Sequence, residues 1–242
     1  MSDPGTGEIR DQMVVSIARL LEDGERVFHG VASPIPMIAT LLAKATHAPN
    51  LIYLNIVGGV DPAPADIPVS TVDPRLLAGA RSMVTLTDLF DLAASGRLDT
   101  AFLSGVQIDG RGRTNMSAIG EFASPKVRLP GGAGSAAIMP KARRTIIWRT
   151  RHDPRVFVDH LDFVTAAGNV SHVVTPLCVF HRVDDRLRVA SRHAWVSPSE
   201  LIDATGFEIA VDDATPITEL VSDRDRAQLR RIDPHDVTLT EF

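Results

Sequence analysis

The sequence predicts an α/β protein with an open, mostly parallel sheet and helices on both faces. Two observations lead to this fold class. Short apolar segments of strand length alternate along the chain with segments whose apolar residues recur at helical spacing. The strand-like segments are also apolar at most positions, as in strands that are covered on both faces. A sheet buried between helices explains both patterns.

The composition is typical of a globular protein and excludes several classes. The 242 residues are 44% apolar and 23% charged, which allows a sizeable core. A net charge of −5 excludes a basic protein that coats nucleic acid. No apolar run approaches the roughly 20 residues that span a bilayer, so no membrane partner is expected. A single cysteine, Cys178, and no basic-then-apolar leader lead us to expect a cytoplasmic protein.

Order is expected to begin near Met13, after a loose polar segment at residues 1–12. Helical spacing then predicts helices at 13–21, 36–45, 76–80 and 86–94. Apolar runs predict strands at 26–30, 51–57, 100–106 and 145–148. Asp23-Gly24 ends the first helix, and Gly58-Gly59 turns the chain after the second strand. This half of the chain therefore alternates helix and strand.

The later part of the chain contains shorter strand-like pieces. They lie at 163–165, 173–180, 187–190 and 207–211, with a helix at 198–204. The charge-rich tail after Asp223 is either a surface helix or a partner-binding arm. No repeat or linker interrupts the chain, so one domain over residues 13–242 is predicted.

Glycine-bearing turns are the first candidates for a ligand site. They lie at 30–34, 57–60, 110–112 and 129–135. Turns at the carboxyl ends of parallel strands converge on one crevice, although for each turn taken singly an ordinary tight turn is the better explanation. The run Gly131–Ser135 lacks both the G-x-G-x-x-G order and a following Gly-Lys-Ser/Thr, which excludes a dinucleotide fingerprint and a P-loop.

Other common kinds of catalytic site have no support. The eight histidines show no H-E-x-x-H spacing and one cysteine cannot form a thiolate cage, so no metal is expected. Cys178 lies in an apolar stretch, where it is expected to be buried and not to act as a nucleophile. No serine lies in a G-x-S-x-G elbow, and no cofactor is expected.

Five sequence blocks occur along this chain in the same order as in a known protein family. They are the opening unit at 13–54, the Gln107-Ile108-Asp109 block with Gly112 and Asn115, Lys126–Gly131, Asp162–Thr165 with Gly168, and Thr205–Phe207. Together they resemble the beta-type subunit of class I CoA-transferases, glutaconate CoA-transferase above all. The resemblance covers most of the chain and implies the CoA-transferase fold, an acyl-CoA substrate and an alpha-type partner subunit, as an α2β2 heterotetramer.

The family's nucleophile is missing at the position where it is expected. In the family, a glutamate at the end of the second strand carries CoA as a glutamyl thioester, whereas this chain reads Asn55-Ile56-Val57-Gly58-Gly59. Val57 has neither a lone pair nor a proton to transfer, so it cannot form that thioester. Asp61 lies just beyond the turn, but using it needs a register shift, and a rescue by Asp61 is disfavoured.

This combination resembles one branch of the family, the actinobacterial CoA hydrolases that open the last ring of a cholesterol-derived acyl-CoA. The resemblance implies a hydrolase (lyase-type) subunit of steroid and lipid catabolism, with the catalytic glutamate in the alpha subunit. A CoA-transferase subunit with a relocated nucleophile and a non-catalytic scaffolding subunit remain as alternatives.

In the ring-opening reaction an oxyanion and an enolate develop, and both need fixed hydrogen-bond donors. Candidates for this support are Gly58, Gly59 and Asn55. The candidate substrate-binding residues are Gln107, Asp109, Asn115, Gly131, Gly132, Ala133, Gly134 and Ser135. For each polar side chain, holding a turn is an equally good explanation, and for Asp109 it is the better one. Arg111, Arg113, Lys126 and Arg128 are near the right turns to meet the CoA phosphates, but surface salt bridges are their default explanation.

Overall fold

The structure, a computed structural model, describes residues 4–242. The described chain divides into two compact units. The first unit comprises residues 4–102 and 219–242, and the second comprises residues 103–218.

The helices are α1 (Thr6–Arg19), α2 (Pro34–Thr46), α3 (Leu86–Ala94), α4 (Ser135–Ile138), α5 (Pro198–Ala204) and α6 (Asp223–Ile232), with 3-10 turns at Pro74–Leu77 and Val237–Glu241. The strands are β1 (Arg26–His29), β2 (Ile52–Asn55), β3 (Gly59–Val60), β4 (Ser82–Met83), β5 (Thr100–Leu103), β6 (Gln107–Asp109), β7 (Thr114–Asn115), β8 (Ala118–Ile119), β9 (Val127–Arg128), β10 (Arg144–Trp148), β11 (Phe157–Val158), β12 (Val170–Val174), β13 (Cys178–Val183) and β14 (Arg186–Arg192).

The first unit is built on a sheet in which β1 pairs in parallel with both β5 and β2. The antiparallel strands β3 and β4 extend it beyond β2. Helix α2, which connects β1 to β2, packs against α1, α6 and the last 3-10 turn. Its residues Ile35, Met37 and Ile38 are completely buried, so this helix lies in the core of the unit. Because β1 and β2 are parallel, the turns that follow them leave the sheet at the same edge.

The second unit combines one parallel pair, β10 with β12, with the antiparallel strands β13 and β14. A smaller sheet pairs β6 with β11 in parallel and with β7 in antiparallel direction, and β8 and β9 form a separate pair. The rings of Phe157, Phe180 and Phe207 meet in the core at centroid distances of 5.9–6.4 Å. Such aromatic contacts add to the stability that burial alone provides.

The predicted α/β class with parallel pairing is confirmed, and α3 and α5 have the predicted bounds. In each unit the antiparallel strands continue from the strands of a parallel pair. The charge-rich tail contains a helix, α6, which agrees with the first of its two interpretations, a surface helix. The assignment of one domain to residues 13–242 stays a prediction. Of the helices in residues 4–242, none has the length and apolar character needed to cross a membrane.

The prediction of a loose segment over residues 1–12 is wrong from Thr6 onward, where α1 begins. Residues 1–3 lie outside the described residues. The polar side chains in this segment reflect contacts and not disorder: Arg10 donates to Asp11 and Asp236, and the buried Gln12 donates to Ser16. Polarity at a helix start is therefore a poor sign of disorder when charged partners come from a distant segment.

Three strand predictions in the second half are also wrong. Residues 163–165 and 207–211 contain no strand, and residues 173–180 form the ends of two strands, β12 and β13. Thr175 reverses the chain between them, because its Oγ1 accepts hydrogen bonds from the N–H groups of Leu177 and Cys178. The ring of Phe207 is buried in the core against Phe157. Its apolar character therefore reflects burial and not membership of a strand.

Smaller boundary differences concern the turns. The strand predicted at 51–57 ends at Asn55, and the strand predicted at 100–106 ends at Leu103. The helix predicted at 76–80 is the 3-10 turn Pro74–Leu77. The shorter second strand places Val57 in a turn and not inside the sheet.

We expect Gly206→Ala to destabilise the protein by about 1–3 kcal/mol, since the added Cβ would lie 2.3 Å from the Phe157 carbonyl oxygen. The matched control is Gly7→Ala in α1, where nothing lies within 4 Å of the added Cβ. Because alanine favours a helix over glycine, this variant should stabilise by up to about 1 kcal/mol. Urea unfolding measures both, and equal effects of the two variants would contradict the packing described at Gly206.

Candidate functional site

The turn after β2 carries Val57, which is half-buried. Asn55, completely buried at the end of β2, holds this turn together. Its Nδ2 donates to the Leu76 carbonyl at 2.9 Å, and its Oδ1 accepts the Gly59 N–H at 2.8 Å. The Gly58 N–H donates to the Asn55 carbonyl at 3.0 Å. The Asn55 side chain therefore links the turn, through Gly59, to the 3-10 turn at Pro74–Leu77, through Leu76.

Gly58 occupies a position in this turn that requires glycine. Its φ is +98°, and a Cβ there would lie 2.4 Å from the Val84 carbonyl oxygen. The sequence analysis named Asn55, Gly58 and Gly59 as oxyanion donors. In the structure these donors are engaged within the turn, so they can serve a ligand only after breaking those bonds. Their observed role is to set the position of Val57.

The contacts of Asp61 oppose its use as a replacement nucleophile. Its side chain is 8% exposed and forms a 2.9 Å salt bridge with Lys44. The Tyr53 N–H donates to the same carboxylate at 3.0 Å. A carboxylate paired with a cation and a backbone donor is a weak nucleophile, in agreement with the low weight that the sequence analysis gave it.

A buried network fastens the turn after β1 to β2. His29 contacts Ser33 Oγ through Nδ1 at 2.8 Å and the Tyr53 hydroxyl through Nε2 at 2.6 Å. Ser33 Oγ donates to the Gly30 carbonyl at 2.6 Å, so Ser33 accepts from His29 Nδ1. When the imidazole is neutral, its Nε2 accepts from the Tyr53 hydroxyl. The sequence analysis missed this network, although a histidine inside an apolar strand was a usable signal.

Burial controls the ionisation of this network. It lowers the pKa of His29 to about 4 and raises the pKa of the Tyr53 hydroxyl. Both groups are therefore neutral at physiological pH. The network positions the loop and carries no charge into the site.

The turn at residues 129–135 in the second unit has free backbone donors. Gly131, with a φ of +93°, donates its N–H to the Met116 carbonyl at 2.7 Å, and the Ser135 N–H donates to the Gly132 carbonyl at 2.8 Å. Within the described part of the chain, the N–H groups of Gly132, Ala133 and Gly134 have no hydrogen-bond partner. Backbone N–H groups without a partner are available as hydrogen-bond donors to an anion or an oxyanion.

Packing explains why this turn contains Gly132. A Cβ there would lie 2.5 Å from the Thr165 side chain and 2.7 Å from Ser135 Oγ. Thr165 Oγ1 also accepts the Met116 N–H at 2.8 Å, which joins the turn to β7. The free donors are thus held on a rigid support. Ser135 itself is buried, with its hydroxyl donating to the Gly132 carbonyl.

Gln107 and Asn115 form a buried side-chain network across β6 and β7. Asn115 Nδ2 donates to Gln107 Oε1 at 2.6 Å, and Gln107 Nε2 donates to Asp162 at 3.2 Å. Asn115 Oδ1 also accepts the Ser117 N–H at 2.9 Å. These bonds hold the strand pair beside the 129–135 turn, and substrate binding by the two side chains stays a prediction.

Asp109 holds the turn between β6 and β7. It is 2% exposed, and its Oδ1 accepts the N–H groups of Arg111 and Arg113, each at 3.0 Å. The Arg113 guanidinium lies 2.6 Å from the other carboxylate oxygen. Turn-holding, the favoured interpretation from sequence, is what the contacts show. They also remove Arg113 from the cations available to CoA phosphates, and Arg128 lies over the Phe122 ring at 5.0 Å.

The structure also bears on Cys178 and on the arrangement of possible metal ligands. Cys178 is completely buried, and burial raises its pKa, which opposes thiolate formation. Among residues 4–242, no three His, Cys, Asp or Glu side chains are arranged to hold a metal ion. The candidate site of the first unit is therefore the turn with Val57. The candidate site of the second unit is the turn at Gly132–Gly134, which has free N–H donors.

Comparison with known proteins places these features in a family. Residues 10–197 match the family described as coenzyme A transferase. The structure is similar to the decarboxylase AibA/AibB, with a TM-score of 0.90 and 34% identity over 96% of this chain and 98% of that one.

Two characterised relatives have different activities. A 3-oxoadipate CoA-transferase subunit of Pseudomonas knackmussii is 29% identical over 82% of this chain and 83% of its own length. The cholesterol ring-cleaving hydrolase IpdB subunit of Rhodococcus jostii is 28% identical over 86% of each chain. The relatives thus include a transferase, a hydrolase and a decarboxylase, so overall similarity leaves the reaction open and the residues of the site must decide it.

The buried histidine predicts a pH dependence of stability. Below about pH 6.5 the unfolded chain protonates His29, but the folded chain does not until the pH nears about 4. Stability is therefore lost as the pH falls through this window. Replacing His29 with Gln should reduce the slope of unfolding free energy against pH by up to about 1.4 kcal/mol per pH unit.

The matched control for this prediction is His160→Gln, since the His160 side chain is 89% exposed. Urea unfolding at a series of pH values measures the slope for both variants and the unchanged chain. If His29→Gln and His160→Gln leave the slope equally unchanged, His29 is not neutral in the folded protein.

Proposed function

Because the chain belongs to the coenzyme A transferase family, we propose that it is the beta-type subunit of an enzyme that breaks a carbon–carbon bond in an acyl-CoA. The alpha-type partner subunit carries the catalytic glutamate, and the assembly is an α2β2 heterotetramer. Val57 is the observation that carries this proposal. A hydrocarbon side chain lies at the turn where the family's glutamate is expected, and the next acid along the chain, Asp61, is paired with Lys44.

The first candidate reaction is hydrolytic opening of the last ring of a cholesterol-derived acyl-CoA. Water adds to a ring carbonyl, the adjacent carbon–carbon bond breaks, and its electron pair moves onto the carbon next to the thioester. The carbonyl carbon becomes a carboxylate, and the enolate takes up a proton. Similarity to the IpdB subunit over 86% of each chain supports this reaction.

The second candidate reaction is decarboxylation, which the 34% identity to AibA/AibB favours. Carbon dioxide leaves, its bonding pair remains on carbon as an enolate, and a proton replaces the lost carboxyl group. Both reactions place negative charge on the thioester oxygen. The free N–H groups of Gly132, Ala133 and Gly134 are of the type that stabilises this charge.

One product analysis separates these candidates. The chain is purified with its alpha-type partner and given a ring-intact β-keto acyl-CoA or a CoA thioester with a second carboxyl group. Incorporation of oxygen from labelled water into an opened ring supports hydrolysis, and release of carbon dioxide supports decarboxylation. Transfer of CoA to an added acid, with neither product, would support a transferase with a relocated nucleophile.

If the chain only supports its partner, the donor turn should be dispensable. Gly134→Pro removes one N–H group at a φ of −79°, which proline can adopt, and should lower turnover by about 10²–10³-fold, the usual cost of losing one oxyanion donor. Full turnover in this variant, with assembly intact, would support the scaffolding alternative. Circular dichroism and the size of the complex control for folding.

We expect that Val57→Glu, and not the unchanged chain, forms a glutamyl-CoA thioester, because the substitution restores a carboxylate at the family position. The holoenzyme is incubated with acyl-CoA, treated with borohydride or hydroxylamine, and this chain is analysed by mass spectrometry. Val57→Gln is the control, since it has the same size and no nucleophile. A trapped adduct on the unchanged chain would contradict the proposed function.

A further inference from the structure

The first unit contains a cavity of about 400 Å³ that no step above uses. Its walls come from the turn after β1, from residues 69–72 and from the last 3-10 turn. Val31, Val69 and Val72 line it and are 57%, 59% and 47% exposed. Valines this exposed around a concave surface are unusual on a protein surface and are typical of a binding pocket.

The cavity is bordered by the turn after β1, which leaves the sheet next to the turn that holds Val57. His29, the last residue of β1, is directly opposite Asn55, the last residue of β2. Val31 and Val57 each follow two residues later. Neighbouring strands are roughly 5 Å apart, so these two turns leave the same edge side by side.

The segment that forms one wall of the cavity also contacts both turns. Thr71 Oγ1 donates to the Gly30 carbonyl at 3.4 Å, and the Leu76 carbonyl accepts from Asn55 Nδ2 at 2.9 Å. Residues 69–76 thus pass from the cavity to the turn with Val57. A molecule whose reacting atom lies at that turn can extend into the cavity.

The walls are held in place before any ligand binds. Ser33 and His29 fix the turn after β1, as described above. On the other side, the Glu241 carboxylate accepts the Ile35 N–H at 2.6 Å, in the first turn of α2. A carboxylate at this end of a helix is stabilised by the helix dipole. Preorganised walls reduce the ordering cost of binding.

The chemistry of the walls selects the ligand. No lysine or arginine lines the cavity within residues 4–242 to pair with an anion. A hydrocarbon instead contacts the valines and Pro34. A volume of about 400 Å³ is within the usual range for small-molecule pockets, roughly 300–1,000 Å³.

We propose that this cavity binds the branched or cyclic hydrocarbon end of the acyl group, the end that lies farthest from the thioester. This assignment rests on the proposed function, because it takes Val57 as the neighbour of the reacting carbon. The cavity thereby sets which acyl groups the enzyme accepts. Val69 and Val72 are its specificity-determining residues.

The test narrows the cavity and measures binding separately from turnover. Val72→Phe is made in the complex with the alpha-type partner, and Val69→Phe provides an independent second variant. Val183→Phe is the matched control, since Val183 is 37% exposed and lies in the other unit. Calorimetry then compares cyclohexanecarbonyl-CoA with acetyl-CoA for each complex.

We expect both cavity variants to weaken cyclohexanecarbonyl-CoA binding by about 10–100-fold, the size of effect that pocket shape gives in a hydrophobic site. Acetyl-CoA, which does not reach the cavity, should bind within about two-fold of the unchanged complex, and Val183→Phe should affect neither ligand. Equal effects on the two ligands, or no effect on either, would overturn the assignment.

Two further outcomes are separable. If both cavity variants fail to assemble while Val183→Phe assembles, the partner subunit fills the cavity and the assignment is overturned. If the unchanged complex cleaves no carbon–carbon bond, the proposed function fails. The binding comparison still decides whether the cavity holds the hydrocarbon group, because it requires no turnover.

Discussion

The register of β1 against β2 is the constraint on which the first unit depends. His29 lies opposite Asn55, and both side chains are buried and hydrogen-bonded to the turns that follow their strands. Parallel pairing brings those turns to one edge, and the two polar residues then fix the conformation of each. A shift of one strand by one residue would turn the buried polar side chain of that strand to the opposite face and break its contact with the following turn.

The two units differ in what their turns offer to a substrate. The turn with Val57 uses its backbone donors internally and presents a hydrocarbon side chain, whereas the turn at Gly132–Gly134 leaves its N–H groups free. Within its own unit, the turn with Val57 therefore offers no nucleophile, and within the other unit the Gly132–Gly134 turn offers hydrogen-bond donors. A family that includes transferases can contain a subunit without their nucleophile, since the support for the turns is independent of residue 57.

Particular elements show where sequence reasoning succeeds. Helix α3 has its Thr85 capping box and helix α5 its Ser197 capping box, so local signals define their starts. The strand predicted at 173–180 failed because a turn held by the Thr175 hydroxyl has no apolar signature. Thr6–Gln12 was misinterpreted because its partners, such as Asp236, are distant in sequence. Local chemistry is readable from sequence, but partners brought by the fold are not.

The sequence by itself determined the α/β class, the family and the hydrocarbon at position 57, because alternation of elements, motif order and residue identity are properties of the linear chain. Only the tertiary structure decided which donors are free. Gly58 and Gly132 are indistinguishable as letters, yet the Gly58 N–H is bonded to Asn55 and the Gly132 N–H has no partner among the described residues. The cavity near Val57 is likewise tertiary, since its walls come from three distant segments that only packing brings together.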